Sequence, residues 1–468
     1  MSKILFTLDE IVAACGGKVA RDGAGFKGTV SEVITDSRKD CANALFIPLK
    51  GETFDGHDFI AAAIANGANI ILSEPGKAPA SLPMNVTVVE VADTTAAYQD
   101  LARCHRRRFP ALKVVAVTGS SGKTSTKEMM RAVFAAAYGA DSVLATEGNT
   151  NNQVGVPQNL LRLTERHRVA VLEMGTNHHG EIAPLSRMAE PDVAVITFIG
   201  NCHLEHLGSL EGVAQEKSMI FSCLKPGGTA VIPISGNAQA VLEEKTVALK
   251  KYHFGNDSCA DVSSRYLGGH LHGSTVELRF NALDQVVRFD WSLSGAHQAV
   301  NAAAAAAAAL ALGVSPENIA AGLADCHLPG MRMRITRRDD GTTWINDAYN
   351  ANPDSMASCL KWLAEFADRE NLTLVLGDML ELGKYSHSAQ RRVLELAREL
   401  FPLAAIYAVG KEMATAATAM PPEMAATIIF CPTAADAASC LKSQITPGQT
   451  ILLKGSRGIK LETIEQIL

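Results

Sequence analysis

A chain of 468 residues, 47% of them hydrophobic and 20% charged, has the length of about three domains and enough apolar surface to give each a core. The formal charge of -6 leaves no basic excess to recruit nucleic acid or an anionic membrane, and the ten cysteines never form a C-x-x-C pair, which argues against a zinc site or a disulfide framework. With Asp9 and Glu10 in place of a basic-then-apolar leader, and with the longest apolar stretch (302–312) mostly alanine and too short to span a bilayer, a cytoplasmic enzyme is expected.

Residues 1–92 read as a small separate α/β unit, with helices over 7–15 and 58–65 and strands over 68–72 and 86–91. Between them lie Thr35-Asp36-Ser37-Arg38-Lys39 and a glycine-rich segment from Leu45 through Lys50 to Asp58. Two readings stay open there: hydrophilic loops around an edge strand, or a diphosphate held by Ser37, Arg38 and Lys50.

From 93 to 327 strands and helices alternate, as a parallel sheet requires. The centre of this region is Thr118-Gly119-Ser120-Ser121-Gly122-Lys123-Thr124-Ser125-Thr126, between the apolar run 114–117 and a helix-forming stretch to Tyr138. Glycines at 119 and 122 let backbone N–H groups wrap a polyphosphate at a helix N-terminus, Lys123 would reach the terminal phosphates, and the Thr124 hydroxyl would ligate Mg2+. The general phosphate-loop pattern has a glycine where Val117 stands.

Downstream, Asn149, Asn151 and Asn152 either cap turns or bind sugar and peptide groups. Glu173 ends the buried strand 169–172 and is placed to hold Mg2+; the next polar strand end holds His203, of interest because it shares a sheet with Glu173. Lys217, on the following helix, has the ordinary reading of a surface ion pair. His297 and Asn301, four apart at the start of an alanine-rich helix, share one face and either line a pocket for a base or pack as a cap.

After Pro329-Gly330 a third unit (328–468) alternates strands and helices again, and reads as a doubly wound, Rossmann-like sheet. Its polar strand ends, Asp347-Ala348-Tyr349-Asn350-Ala351-Asn352-Pro353, Gly377-Asp378-Met379-Leu380-Glu381-Leu382-Gly383 and Lys454-Gly455-Ser456-Arg457, suggest a face opposed to the phosphate loop.

Together these motifs resemble the Mur ligases, the ATP-dependent amide-forming enzymes of bacterial peptidoglycan synthesis, whose phosphate loop is itself of the shortened kind. The resemblance implies a UDP-binding N-terminal domain, which favours the diphosphate option for Ser37, Arg38 and Lys50. It implies a central ATPase domain with Gly119, Ser120, Ser121, Gly122, Lys123, Thr124 and Ser125 on the phosphates, Thr124 and Glu173 on one Mg2+, and His203 on a second. The position of Lys217 is carbamylated in relatives, which would convert an ammonium into an anionic metal bridge. His297 and Asn301 match adenine-side contacts, Asp347 and Tyr349 a ribose and adenine contact, and either Arg332 or Arg334 faces the nucleotide. Asn149, Asn151, Asn152, Asn177, His178 and Asn352 fall to the substrates. The Asp-Asn-Pro-Arg signature of the diaminopimelate-adding relative is absent, which favours UDP-N-acetylmuramoyl-tripeptide and D-alanyl-D-alanine as substrates of a monomeric enzyme.

Overall fold

Over residues 6–23, 26, 28–51, 53–366 and 371–468, which the computed structural model describes, the strand-forming runs assemble into three open sheets and a two-stranded ribbon. The ribbon pairs Phe6–Thr7 with Thr29–Val30, and Thr7 then caps the helix Leu8–Cys15 through a reciprocal bond with Glu10.

The first sheet runs Lys18–Arg21, Thr87–Glu90, Ile70–Ser73, Ala44–Phe46, Glu32–Ile34, parallel except at Lys18–Arg21. Leu45 and Phe46 therefore lie one strand in from the edge. The true edge, Glu32–Ile34, is too short to show a period in the sequence. The expected helix 58–65 opens as a tight turn, Gly56–Phe59, because Asp55 caps it at His57 N, and continues as Ile60–Ala65. The helix Thr94–Arg107, capped by Asp93, turns Ala97, Tyr98 and Leu101 toward both Leu72 and Val89 of this sheet and Val114 and Ala170 of the next. One apolar cluster thus spans two regions that the sequence reads as separate.

The central sheet is nine-stranded, in the order Gln285–Trp291, Gly273–Phe280, Val262–His270, Lys250–Gly255, Thr229–Pro233, Val193–Ile196, Lys113–Thr118, Val169–Glu173, Val143–Ala145. Its first three strands form an antiparallel meander, a departure from the strand-helix alternation expected as far as residue 327. The connections at 271–272 and 281–284 are too short for the crossover that a parallel pair demands. Helices Lys123–Tyr138 and Ala296–Ala311 cover one face, where the alanines 302–309 are fully buried and let the helix lie close to Val115 and Val117.

The third sheet runs Arg334–Arg337, Thr343–Asn346, Thr450–Lys454, Leu372–Gly377, Ala405–Val409, Ile428–Cys431, parallel beyond its first pair. The helix Pro353–Leu363 begins where it does because Asn352 caps it and Pro353 suits its first turn.

Candidate functional site

Register sets the site. Glu173 is paired with Val117 and Ile196 with Thr118, so three neighbouring parallel strands end together and deliver the loop 119–122, Glu173 and the segment 197–203 to one rim.

The loop is a tight cradle. Gly119 has φ 154°, and a Cβ on it would lie 2.0 Å from Thr197 Oγ1; Gly122 has φ 83°, and a Cβ there would lie 2.4 Å from Asn301 Oδ1. Thr197 donates to Ser121 O at 2.6 Å, Ser120 N to Phe198 O at 2.7 Å, and Gly200 N to Ser120 Oγ at 2.9 Å, which pins the loop to the neighbouring strand end. Lys123 Nζ donates to Gly119 O at 2.7 Å, and Ser125 is buried in the first helical turn.

At the mouth of the cradle Thr124 Oγ1 donates to Glu173 Oε2 at 2.8 Å, while Asn151 Nδ2 donates to Glu173 Oε1 at 2.9 Å. Glu173 is 2% exposed, and among the described residues it meets neutral donors and no cation. A buried carboxylate in that position calls for a positive charge from outside.

His203, at φ 50°, heads the short helix Leu204–Leu207, and its Nδ1–H donates to Glu381 of the third sheet unit. Burial, helped by the nearby ammonium groups of Lys217 and Lys123, pushes its pKa down, against the pull of Glu381. Lys217 is not the surface ion pair of the ordinary reading. It is fully buried, its Nζ has no hydrogen-bond partner among the described residues, and burial lowers its pKa to about 8.

The third sheet unit sits directly on this rim. Arg332 Nη2 donates to Thr124 Oγ1 at 2.8 Å and its guanidinium lies 4.0 Å from the centre of the Tyr349 ring, whereas Arg334 is engaged with Glu465. Asn352 Nδ2 reaches Ser120 O at 3.3 Å and Ser121 Oγ at 3.2 Å, so this residue, expected at the substrates, lies against the phosphate loop. Asp347 is held by Lys454 Nζ at 2.6 Å. His297 is near both, and its desolvated ring is pushed down to about 4. Asn301 receives no bond from His297; its Nδ2 donates to Gln298 at 3.2 Å.

The remaining substrate candidates divide. Asn149 Oδ1 accepts from Asn151 at 3.3 Å, while Asn152 Oδ1 accepts from Val154 N at 3.2 Å and Gly155 N at 2.9 Å and so closes the turn that leads into the helix Gly155–Leu160, the turn option left open above. Asn177 and His178 lie on an exposed loop whose N–H groups donate to Glu181, with the His178 ring 4.2 Å from that of His206. Ser37 is buried, with its carbonyl bound by Asn66. Arg38 and Lys50 share no partner. Arg38 pairs with Asp36, whose carboxyl it holds down to about 2, and Lys50 pairs with Glu74 at 2.6 Å.

Sequence reasoning gave no role to Thr197 or Asp354, and placed Glu381 only within a polar strand end facing the phosphate loop. Asp354 accepts from Asn201 N at 3.0 Å and so locks the Pro353–Leu363 helix to the rim. Their partners lie 76 to 178 residues away, which no local spacing reveals.

The chain matches the family descriptions "Mur ligase family, catalytic domain" over 29–106, "Mur ligase middle domain" over 117–309 and "Mur ligase, glutamate ligase domain" over 331–457. It is 37% identical over 438 residues to the UDP-N-acetylmuramoyl-tripeptide--D-alanyl-D-alanine ligase of Bacillus subtilis (strain 168), with 92% of each chain covered. Among solved structures it resembles MurF from Acinetobacter baumannii, with TM-score 0.89, 31% identity and coverage of 100% of this chain and 99% of that one. It also resembles the MurF ligase from Thermotoga maritima in complex with ADP, with TM-score 0.79, 26% identity and coverage of 93% and 96%. A phosphate loop, a buried acid at the adjoining strand end and a third unit seated on both, matched along the length of such relatives, identify this chain as a member of the Mur ligase family.

Proposed function

We propose that this chain is the ATP-dependent ligase that joins D-alanyl-D-alanine to UDP-N-acetylmuramoyl-tripeptide, giving the pentapeptide precursor of peptidoglycan. The carrying observation is the corner where Thr124, Glu173 and Arg332 meet beside the Lys123 turn. The ligase names of relatives matched over nearly the full chain supply the choice of acceptor.

The γ-phosphoryl group of ATP passes to the terminal carboxylate of the tripeptide to form an acyl phosphate. The amine of D-alanyl-D-alanine attacks that carbonyl, and the tetrahedral oxyanion expels phosphate to leave the amide. Like charges must meet in the first step, so Lys123 leaves the Gly119 carbonyl for the phosphates, the loop N–H groups cradle them, and Arg332 adds a second cation. The residues present fit Mg2+: Glu173 offers hard carboxylate oxygens that meet only neutral donors among the described residues, Thr124 adds a hydroxyl oxygen beside it, and Lys217 offers a buried amine with no acceptor among those residues. Thr124 and Glu173 would hold one ion and His203 a second, with carbamylated Lys217 serving both, and the ions when bound would neutralise phosphate charge. A lysine with its pKa at about 8 has a substantial neutral fraction near pH 7.5, the form that reacts with CO2.

His297 and Asn301 line the adenine side in this reading, with Asp347 and Tyr349 toward the ribose. Asn149, Asn151, Asn177 and His178 face the tripeptide and acceptor, and Ser37, Arg38 and Lys50 serve the UDP end once the last two leave their carboxylates. Three functional units, 1–92, 93–327 and 328–468, acting as a cytoplasmic monomer, complete it. Ten free cysteines suit a reducing compartment, and among the described residues no helix is long and apolar enough to cross a membrane.

Phosphate release from ATP is the test. Release that needs both UDP-tripeptide and D-alanyl-D-alanine supports the ligase; release indifferent to both acceptors would sink it in favour of a simple ATPase.

A further inference from the structure

Glu381 has no part in the reaction as set out, yet its surroundings are unusual. It lies beyond the end of the strand Leu372–Gly377, in the left-handed region at φ 63°, and its partner His203 is in the same region at φ 50°. Non-glycine residues stay in that region when their surroundings hold them there, and such residues cluster at functional sites. The turn after Glu381 is pressed on the His203 helix: Gly383 has φ 52°, and a Cβ on it would lie 3.2 Å from Glu205 Cα. The carboxylate accepts the Nδ1–H of His203 across the junction between the central and third sheet units. Among the described residues no hydrogen bond reaches His203 Nε2.

We propose that Glu381 is a positioning residue: it fixes His203 as the Nδ1–H tautomer, leaves the Nε2 lone pair for Mg2+, and does so only while the third sheet unit is seated on the rim. Seating of that unit and completion of the metal site are then one event. An outer partner of this kind orients a ligating imidazole, and its loss typically weakens metal binding about 10- to 100-fold. The inference rests on the reading of His203 as a magnesium ligand.

The experiment titrates the full-length protein with an ATP analogue carrying a β,γ-imido bridge, with and without Mg2+, by calorimetry. In the wild type Mg2+ should tighten binding. Glu381→Ala should lose about tenfold or more of that enhancement while metal-free binding stays unchanged. Glu381→Gln, whose amide oxygen still accepts from Nδ1–H, should recover most of it. X-ray scattering should show Mg2+-dependent compaction in the wild type and in Glu381→Gln but not in Glu381→Ala. Wild-type enhancement in Glu381→Ala would overturn the proposal, as would equal weakening with and without Mg2+, which marks a merely structural role. Absence of any Mg2+ effect in the wild type would instead bring down the metal reading of His203 itself.

Discussion

Arg332 donates to Thr124 Oγ1 at 2.8 Å, although 208 residues separate the two in the chain. The same guanidinium lies over the Tyr349 ring, so its direction is fixed by a planar contact as well as by a hydrogen bond. Arg332→Ala should lower kcat about a hundredfold, and Arg332→Lys should restore little of it, because an ammonium has neither the fork nor the flat face. Arg334→Ala, which removes a half-exposed pair with Glu465, should leave turnover unchanged and cost at most about 1 kcal/mol in urea unfolding. Equal losses in the two alanine variants would contradict this division.

Lys123 bonds to its own loop at Gly119 O, and its removal should leave the fold intact. Lys123→Ala should lose about 3 kcal/mol or more of transition-state stabilisation, on the order of a hundredfold or greater in rate. Steady-state ligation checks the loss, and an unchanged melting temperature assigns it to chemistry.

Gly122 and Asn301 meet so closely that a side chain at 122 has no space. Gly122→Ala should destabilise by about 1–3 kcal/mol, part from its φ of 83° and part from the clash with Asn301 Oδ1. Adding Asn301→Ala should return the clash component and leave the backbone component. A double-mutant cycle in urea measures the difference, and strict additivity would show that the contact is not felt.

Lys217 makes stability depend on pH in a definite direction. Its folded pKa is lowered from 10.5 to about 8, so between those values the unfolded chain takes up a proton that the buried amine refuses. Stability should therefore fall as pH falls from 10.5 to 8, by about 3 kcal/mol in all, and this contribution should be flat below that window. Urea midpoints in CO2-free buffer should show the slope in the wild type and lose it in Lys217→Met. Activity of Lys217→Ala should be low and partly restored by short carboxylic acids; full activity without them would defeat the carbamate bridge.

The phosphate loop, the acids at strand ends and the alternation of the third unit are legible from sequence, because each depends on neighbours in the chain: a strand, a glycine turn and a helix start within about ten residues. Lys123, Thr124 and Glu173 could be named on that basis. The antiparallel meander from 262 to 291 was less legible, since short turns between strands resemble loops until their partners are known.

Sequence by itself determined that a glycine-bearing loop joins a buried strand to a helix at 118–126, because such a turn is local backbone geometry. Only the tertiary structure decided that Arg332 rather than Arg334 faces Thr124, that Lys217 is a buried amine and not a surface charge, and that Glu381 meets His203. Those facts belong to burial and to contacts between distant segments, and a residue's solvation and charge state are set by what packs around it, not by its neighbours in sequence.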